Sequence, residues 1–297
     1  MTHLRSMSMK TCIVTGATSG IGKVTALELA KRGARVILIC RNKEKGQDVA
    51  REIRAVAQND SIDLLVADLS SQQQLRAAAA ELNRKYHRLD VLVNNAGATF
   101  PRRCESVDGM EMTLAVNHLA PFLLTNLLLG KLAATGGARI INVNSAAHER
   151  GTIDFGDIQM RRRYGRGVGM RAYSIAKLAN LLTMYELARR LEGTSITVNA
   201  LHPGYVATNI VSLKTATGPL RLFAPFWGLA MRLILTPEQG AACSIYLACS
   251  PAVANVSGKY FEECVPVSSS RTSYDKTMQL RMWDVSEQLT APRPTFS

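Results

Sequence analysis

The most constraining feature is a short apolar run that leads through a glycine-rich turn into a helical segment. Residues Thr11–Thr15 read TCIVT, the turn contains Gly16, Gly20 and Gly22, and a helical pattern follows over residues 21–32. Gly16 permits a tight turn, Gly20 lets the backbone approach a pyrophosphate, and Gly22 lets the helix pack closely on the strand. The free N–H groups and the dipole of such a helix favour an anion. The arrangement predicts a dinucleotide site, with a purely structural turn as the alternative.

Apolar runs and helical patterns continue to alternate along the chain. The predicted strands cover residues 11–15, 35–40, 64–67, 91–93, 139–143 and 196–200, and the predicted helices cover residues 21–32, 43–57, 72–84 and 171–191. Strands separated by helices of this length indicate parallel βαβ units, and continuous apolar strands are typical of a sheet covered on both faces. Right-handed crossovers then give an α/β fold with a doubly wound, Rossmann-type parallel sheet. We expect one catalytic domain over residues 8–265 and a C-terminal extension over residues 266–297.

The composition supports a folded domain but identifies no partner. The chain has 297 residues, and its hydrophobic fraction of 47% suffices for a full core. The six cysteines form no CxxC pair and no His cluster has zinc spacing, so we predict reduced thiols and no metal site. A net charge of +13 suits nucleic acid, an anionic membrane, an anionic cofactor or simply a basic surface. Since no nucleic-acid-binding motif is visible, we expect no nucleic-acid partner.

The distribution of apolar and basic residues bears on location. There is no run of about 18 apolar residues, and residues 1–10 lack an apolar stretch, so we expect neither a transmembrane helix nor a signal peptide. A cytoplasmic protein is the default expectation. Residues 161–163, Arg166 and Arg171 form a basic cluster, for which a solvated loop is the favoured interpretation. The alternative is a rim that contacts an anionic membrane surface peripherally.

The residue after the second strand bears on the choice between NAD and NADP. An acidic residue there typically holds the ribose hydroxyls of NAD, whereas Arg41 offers a planar cation suited to a 2′-phosphate. Lys43 and Lys45 add positive charge nearby. The alternative is that Arg41 is an ordinary surface cation, but the missing acid leads us to predict NADP(H) as the cofactor.

Polar residues also end the third and fourth strands. Asp68 follows the third strand and is a candidate hydrogen-bond partner for an adenine amine. Asn94 follows the fourth strand and fits a cofactor-lined crevice, although a turn amide is an equally common reason for an asparagine there.

Tyr173 and Lys177 form a YxxxK unit in the predicted helix over residues 171–191. Residues i and i+4 share one helix face, so the phenol and the ammonium should be neighbours, and the ammonium should lower the pKa of the phenol. A tyrosine tuned in this way suits general acid–base catalysis. Ser145 at the end of the fifth strand could hold a substrate oxygen, and Asn117 could hold a water connected to Lys177. A solvated helix pair, a turn serine and a buried amide are the respective structural alternatives.

In this order the motifs resemble those of the short-chain dehydrogenase/reductase family. The matching motifs are TGxxxGIG over residues 15–22, NNAG over residues 94–97, YxxxK over residues 173–177 and HPG over residues 202–204. Further stretches resemble the retinol dehydrogenase branch, which is mostly NADP-dependent: residues 20–23, 32–36, 40–41, 174–180 and 257–261. One departure is Asn144, where the family usually has a serine; we expect changed local hydrogen bonding around an intact site.

The resemblance implies roles for the matching positions. Tyr173 would protonate a carbonyl oxygen during reduction, Lys177 would lower its pKa and hold ribose hydroxyls, and Ser145 would polarise the carbonyl. Asn117 would anchor a proton-relay water, and Thr208 would contact the nicotinamide carboxamide. The predicted cofactor-binding residues are Gly16, Thr18, Ser19, Gly20, Ile21, Gly22, Arg41, Asp68, Leu69, Asn94, Ala96, Gly97, Tyr173, Lys177, Pro203, Gly204, Val206 and Thr208.

An apolar segment over residues 218–236, which includes Phe226 and Trp227, is predicted to form a small lid over a lipophilic substrate. Ordinary helix packing is the alternative. We therefore predict hydride transfer between NADP(H) and a lipophilic aldehyde or ketone, such as retinal, or the corresponding alcohol. A steroid or secondary-metabolite ketoreductase is the second prediction, and a catalytically idle NADP(H)-binding sensor or scaffold is the third. The family resemblance also implies a homo-oligomer.

Overall fold

The computed structural model describes residues 7–162, 168–206 and 235–292. Within these ranges eight strands form one sheet in the order β3-β2-β1-β4-β5-β6-β7-β8. The strands are β1 (Thr11–Thr15), β2 (Arg35–Cys40), β3 (Ile62–Val66), β4 (Val91–Asn94), β5 (Arg139–Val143), β6 (Thr197–His202), β7 (Tyr260–Glu262) and β8 (Val265–Val267). Strands β1 to β7 pair in parallel, and β8 is antiparallel to β7. The predicted doubly wound, Rossmann-type parallel sheet is confirmed.

Helices cover both faces of the sheet. In chain order they are α1 (Gly20–Lys31), α2 (Lys43–Ala57), α3 (Gln72–Lys85), α4 (Met112–Leu114), α5 (Ala120–Thr135), α6 (Val168–Arg190), α7 (Pro237–Cys249) and α8 (Lys276–Thr290). The turn Ala115–Leu119 between α4 and α5 is π-helical, and Ala146–Arg150 and Arg271–Tyr274 are 3-10 turns.

Consecutive residues of a strand point to opposite faces of a sheet, and this alternation fills two separate apolar clusters. Ile13 and Leu92 are fully buried in the cluster beneath α3, α5 and α6. Val14 and Val93, their neighbours in sequence, are buried in the cluster beneath α1, α2 and α7. The strands are therefore apolar at consecutive positions because both of their faces are covered.

The order of the strands places a crevice at one edge of the sheet. Strands β1 and β4 lie side by side, yet the chain leaves β1 towards β2 and leaves β4 towards β5 on the opposite side. The connections after β1 and β4 therefore diverge, and a crevice opens beyond the carboxyl ends of these two strands. The glycine turn and the NNAG segment follow these two ends.

The predicted elements agree with the structure most closely in the first half of the chain. Strands β1, β2 and β5 and helix α2 have the predicted bounds, whereas β3 begins two residues earlier than predicted and β6 ends two residues later. Strands β7 and β8 and helices α7 and α8 were not predicted. β8 spans the predicted domain boundary at residue 265, and Met282 of α8 is fully buried in a cluster with α6.

The segment Met112–Thr135, which comprises α4, the π-helical turn and α5, is long and apolar enough to span a membrane by length and composition alone. Its most apolar window has a mean hydropathy of 1.4, and 67% of that window is buried inside the protein. We did not predict this segment from apolar runs. A buried core helix meets the same criterion, so the finding gives only weak support to a membrane span.

Candidate active site

The glycine turn after β1 leaves no room for side chains. Gly16 has a φ of +65° and Gly20 a φ of +53°, a region that favours glycine. A Cβ atom on Gly16 would lie 2.9 Å from the Cα atom of Ala96. A Cβ atom on Gly22 would lie 2.5 Å from the carbonyl oxygen of Gly16. The turn and the first turn of α1 therefore form a tight, backbone-lined surface, which is what a pyrophosphate requires.

Two polar side chains that we did not single out from the sequence hold this turn in place. The hydroxyl of Thr15 accepts hydrogen bonds from the backbone N–H groups of Asn95 and Ala96, both at 3.0 Å. The amide of Asn95 donates to the carbonyl oxygens of Thr15 at 2.8 Å and Gly16 at 3.3 Å. These bonds join the carboxyl ends of β1 and β4. The signal for Asn95 was its place in the NNAG motif, from which we had named Asn94.

The start of α1 differs from the starts of α2 and α3. Asn42 and Ser71 cap α2 and α3, and their side chains accept the backbone N–H groups of Lys45 and Gln74. Ser19 precedes α1 in an extended conformation, its side chain makes no capping hydrogen bond, and the first turn contains no acidic residue. The first N–H groups of α1 consequently lack a cap within the described part of the chain, and they suit a phosphate group.

Arg41 and Asp68 lie beyond the ends of neighbouring strands. Cys40 pairs with Val66, and its carbonyl oxygen accepts the N–H of Ala67 at 2.9 Å. Arg41 is exposed, and none of the ion pairs found among the described residues involves it. One oxygen of the Asp68 carboxylate accepts hydrogen bonds from the N–H and hydroxyl of Ser70, at 2.9 and 2.8 Å. Asp68 therefore shapes the turn into α3, while Arg41 remains available to an anion.

Asn94 belongs to β4 and is buried, so the alternative of a turn amide is wrong. Its amide donates to the hydroxyl of Thr125 at 3.0 Å and to the side-chain oxygen of Asn142 at 2.9 Å. It thus joins β4, β5 and α5. Together with Leu69 and Ala96 it also lines a small cleft beside the glycine turn.

Ser145 lies two residues beyond the end of β5 and is held by hydrogen bonds of its N–H and its hydroxyl. Its N–H donates to the side-chain oxygen of Asn144 at 2.9 Å, and its hydroxyl oxygen accepts the N–H of Ala147 at 3.2 Å. Asn144 in turn donates to the carbonyl oxygen of Lys177 at 3.1 Å. Asn144, which departs from the family pattern, therefore joins the serine segment to α6. The Ser145 hydroxyl keeps its own proton to donate.

Tyr173 and Lys177 lie on one face of α6, both buried, with the Lys177 ammonium 5.4 Å from the centre of the Tyr173 ring. Burial raises the pKa of Tyr173, and a hydrogen bond with Ser145 opposes this rise. Burial lowers the pKa of Lys177 to about 8, and its ammonium donates to the carbonyl oxygen of Val143 at 2.8 Å. The predicted lowering of the Tyr173 pKa is wrong for the chain alone, because desolvation dominates.

Asn117 lies in the π-helical turn, and π-helical turns are frequent at functional sites. Its amide nitrogen donates to the carbonyl oxygens of Ala98 at 2.7 Å and Thr113 at 2.8 Å. A Cβ atom on Gly97 would lie 2.9 Å from the side-chain oxygen of Asn117 and 3.7 Å from the ammonium of Lys177. Asn117, Gly97 and Lys177 therefore meet, but the Asn117 amide is committed to the backbone. Its part in holding a water stays a prediction.

The segment after β6 returns to the start of α1. Gly204 has a φ of +79° and is crowded by the side chain of Leu235, which forms a β-bridge with Val206. A Cβ atom on Gly240 of α7 would lie 2.5 Å from Val206 and 3.2 Å from Ile21. Val206 and Ile21 therefore pack against the same residue of α7, which brings the end of this segment close to the start of α1. The cofactor-binding role of Pro203, Gly204 and Val206 stays a prediction. Thr208 and residues 218–234 of the predicted lid lie outside the described residues.

The described residues fit a bound dinucleotide. Backbone crowding keeps the glycine turn free of side chains, the start of α1 lacks a cap, and Arg41 and Lys177 offer cations at two ends of the crevice. Within the described ranges no group of three or more His, Cys, Asp or Glu side chains could hold a metal ion.

Comparison with known proteins identifies the family. The family model described as short chain dehydrogenase matches residues 10–156. Retinol dehydrogenase 14 of Mus musculus is 42% identical over 294 residues, with 95% of this chain and 86% of that protein covered. Retinol dehydrogenase 13 of Homo sapiens is 42% identical over 284 residues, with 94% and 84% covered.

Solved structures agree with this assignment. A protein from Mycobacterium paratuberculosis is 34% identical with a TM-score of 0.77, and the alignment covers 97% of this chain and 96% of that chain. The Pseudomonas aeruginosa RhlG/NADP active-site complex is 30% identical with a TM-score of 0.69, covering 87% and 96%. The chain belongs to the short-chain dehydrogenase family, whose members use NAD(P), and it is similar to the retinol dehydrogenases. It is an oxidoreductase that acts on alcohol or carbonyl groups.

Proposed function

We propose that this protein is an NADP(H)-dependent enzyme that interconverts a lipophilic aldehyde or ketone and the corresponding alcohol. The observation that carries the proposal is the meeting of the half-buried Ser145 with the buried Tyr173 and Lys177 at the carboxyl end of β5. This group lies in the crevice that the glycine turn borders. A hydroxyl, a phenol and an ammonium in this order suit proton transfer to a carbonyl oxygen.

Each of the three side chains has a defined part in the proposed reaction. Because the Ser145 oxygen already accepts the N–H of Ala147, its proton can be donated to the substrate oxygen. Tyr173 keeps its proton at neutral pH because burial raises its pKa, and this is the form that carbonyl reduction needs. In the reverse direction the phenolate would accept the proton of the alcohol. The bound dinucleotide would supply or accept the hydride.

Lys177 would hold the ribose hydroxyls of the dinucleotide and stabilise the phenolate. Its ammonium is buried and its only hydrogen bond among the described residues is to the carbonyl oxygen of Val143. The remaining donors of this ammonium are therefore available to a sugar. Asn144, which accepts the Ser145 N–H and donates to the Lys177 carbonyl, would keep the serine and α6 in register.

Arg41 supports NADP(H) over NAD(H). It is exposed just beyond β2, and Lys43 and Lys45 are exposed next to it. A guanidinium binds a phosphate through two parallel hydrogen bonds. Position 41 carries no acidic residue, which would repel that phosphate. The similar RhlG protein is an NADP complex, which agrees with this preference.

The proposed substrate class rests on the similar proteins, because most of the predicted substrate lid lies outside the described residues. The relatives reported above are named retinol dehydrogenases, and retinol is a long apolar alcohol. The apolar composition of residues 218–236 is compatible with such a substrate. We therefore propose retinal-like or other apolar carbonyl compounds.

Location and assembly are separate proposals. We propose a cytoplasmic protein. Arg161, Arg162 and Arg171 of the basic cluster are exposed, which fits the favoured solvated loop and also the alternative of peripheral contact with an anionic membrane. Under that alternative, flotation with vesicles that contain anionic lipid should show binding that salt weakens, and its absence would remove this idea. We also propose a homo-oligomer, which sedimentation would detect.

The first test is the rate of NADPH oxidation against a panel of carbonyl compounds. The panel contains all-trans-retinal, long aliphatic aldehydes, aromatic aldehydes and steroid ketones, and each rate is measured again with NADH. We expect turnover of the apolar aldehydes with NADPH and much slower turnover with NADH. Fastest turnover of steroid ketones would favour the second prediction. Tight NADPH binding without turnover of any compound would favour a sensor or scaffold.

A further inference from the structure

The C-terminal segment reaches the candidate catalytic serine through His148. This histidine lies in the 3-10 turn Ala146–Arg150 that follows Ser145, and only 1% of its surface is exposed. One ring nitrogen, Nδ1, lies 2.7 Å from the carbonyl oxygen of Ser145. The other, Nε2, accepts the backbone N–H of Ser270 at 3.0 Å. His148 therefore bridges two segments that are more than 100 residues apart in sequence, as their numbers show.

The two contacts determine which nitrogen carries the proton. A backbone N–H can only donate, so Nε2 must present its lone pair to Ser270. Nδ1 then carries the proton of the neutral ring and donates it to the carbonyl oxygen of Ser145. Burial lowers the pKa of His148, which favours this neutral form. The Ser270 N–H thus selects the tautomer that can hold Ser145.

The turn that carries His148 is packed against the helix of the candidate catalytic tyrosine. A Cβ atom on Gly151 would lie 2.7 Å from the carbonyl oxygen of Ser174 and 2.8 Å from Leu178. The His148 ring also packs edge-on against Tyr260 of β7, with ring centres 5.0 Å apart. A shift of the ring would consequently displace the Ser145 backbone relative to α6.

The C-terminal segment is itself anchored at this place. The hydroxyl of Ser269 lies 2.7 Å from the hydroxyls of both Tyr185 and Ser273. Ser273 donates to the carbonyl oxygen of Ser270 at 2.6 Å, and Gln279 of α8 donates to the carbonyl oxygen of Ser273 at 2.6 Å. This network fixes the backbone of Ser270, including its N–H, on the surface of α6.

We propose that His148 is a positioning residue of the active site, which holds the Ser145 backbone through its Nδ1 proton, and that the Ser270 N–H fixes the tautomer required. The C-terminal segment then acts as a support for the serine rather than as an appendage. The inference rests on the proposed function, since it assigns Ser145 a part in the reaction. It predicts an effect on kcat with little effect on the KM for NADPH.

Other titratable groups face the same ring and enter the pH behaviour. Glu149 on the same turn raises the pKa of His148, against the larger effect of burial. His202 of β6 interacts with His148 and its own pKa is lowered, chiefly by burial. Tyr260 of β7 packs against the ring and burial raises its pKa, and Glu262 of β7 interacts with His202 and Tyr260.

The test removes one hydrogen from the backbone. Ser270 has a φ of −61°, which is the value that proline requires, so Ser270→Pro deletes the N–H while the backbone angle is retained. Ser270→Ala is the matched control, because it keeps the N–H and removes a hydroxyl that has no hydrogen-bond partner among the described residues. Thermal unfolding of both variants verifies that they are folded.

The readouts are kcat as a function of pH and the state of the His148 ring by nitrogen NMR. In Ser270→Pro we expect kcat near pH 7 to fall about tenfold, the scale of one hydrogen bond. The pKa of His148, followed in the same NMR spectra, should rise in Ser270→Pro, because Nε2 loses the N–H that it accepts and becomes free to bind a proton. Ser270→Ala should retain the wild-type profile and the Nδ1-protonated tautomer. Equal behaviour of the two variants in either readout would overturn the inference.

A second pair of variants replaces the ring. His148→Asn places an amide donor near the position of Nδ1, and His148→Phe keeps the ring shape against Tyr260 but donates nothing. We expect His148→Asn to retain most of kcat and His148→Phe to lose at least as much as Ser270→Pro. Equal loss in both would assign His148 to packing alone. If the wild type turns over no carbonyl compound, the proposed function fails, while the NMR measurement still decides whether Ser270 sets the tautomer.

Discussion

Gly22→Ala tests whether the glycine turn binds the dinucleotide through its backbone. The new Cβ atom would lie 2.5 Å from the carbonyl oxygen of Gly16, and it would also collide with the amide of Asn95. An ordinary contact begins near 3.4 Å, so the turn must move by about 0.9 Å, the difference of the two values. A displacement of about 1 Å at a site of this kind reduces rates about 100-fold. We therefore expect kcat/KM for NADPH to fall about 100-fold.

The effect on stability should be smaller than the effect on the kinetics with NADPH. Overpacking of this kind lowers the free energy of unfolding by about 1–3 kcal/mol. Because Gly22 lies within α1, alanine also offers about 1 kcal/mol of helix propensity, which offsets part of the loss. The net loss should be about 2 kcal/mol or less, measurable by urea denaturation.

Gly130→Ala is the matched control for this substitution. Gly130 lies in α5, and no atom lies within 4 Å of the position its Cβ would take. We expect unchanged NADPH binding and a free energy of unfolding raised by about 0.5–1 kcal/mol. The reasoning is refuted if Gly22→Ala binds NADPH within threefold of the wild type, as measured by calorimetry, or if both variants weaken binding equally.

Three further predictions concern charged groups. Arg41→Ala should raise the KM for NADPH by about 10-fold or more and leave that for NADH unchanged, because a charge-assisted hydrogen bond is lost; equal effects on both would exclude a 2′-phosphate contact. Lys177→Met should abolish turnover but raise the free energy of unfolding at pH 6 by about 1–2 kcal/mol, since it removes a buried ammonium. Burial lowers the pKa of Lys177 to about 8, whereas the unfolded lysine holds its proton to about pH 10.4. The free energy of unfolding of the wild type should therefore rise between these pH values, and the stability difference between Lys177→Met and the wild type should shrink. Urea denaturation of both proteins at pH 6 and 10 measures this difference. Burial would raise the pKa of Asp90, but hydrogen bonds from Arg88, the Thr11 N–H and Lys10 lower it. Its stabilisation is therefore present above about pH 3.9 and is lost as the pH falls through the lower folded pKa. Asp90→Ala should cost about 1–3 kcal/mol at pH 7, because the buried Thr11 N–H loses its acceptor while Arg88 and Lys10 stay partly solvated; an acid unfolding profile unchanged by it would contradict the assignment.

The sheet could be predicted because its strands carry strong local signals. β2 is apolar at every position but the first, β1 and β5 have apolar centres, and each strand is followed by a turn or a helix of clear period. β7 and β8 have three residues each, which is too short for a periodic signal, and β8 is exposed throughout. β7 forms because it pairs with the free edge of β6, and β8 forms because it pairs with β7. The sequence does not reveal either partner.

The candidate site was predictable where residue types were paired with spacing. The order of the glycine turn, Ser145, Tyr173 and Lys177 placed these residues at one end of the sheet, and the structure brings them together. Burial was not predictable from the spacing, so the direction of the Tyr173 pKa shift was wrong.

Contacts between residues that are far apart in sequence could not be predicted either. Asn95 reaches back to β1, Asn144 reaches forward to α6, and His148 meets Ser270. Each contact depends on tertiary packing, and only the packed structure shows which polar groups face one another. The C-terminal segment had no predicted function for the same reason.

The central claim is that Tyr173 transfers a proton while hydride moves between NADP(H) and a carbonyl carbon. The most direct measurement is the reduction of all-trans-retinal and a long aliphatic aldehyde with NADPH that carries deuterium at both C4 positions of the dihydronicotinamide, with the alcohols analysed by mass spectrometry. We predict one deuterium in the alcohol formed by the wild type, and no alcohol from Tyr173→Phe despite unchanged NADPH binding. Alcohol formed equally by Tyr173→Phe, or no labelled alcohol from the wild type, would contradict the account.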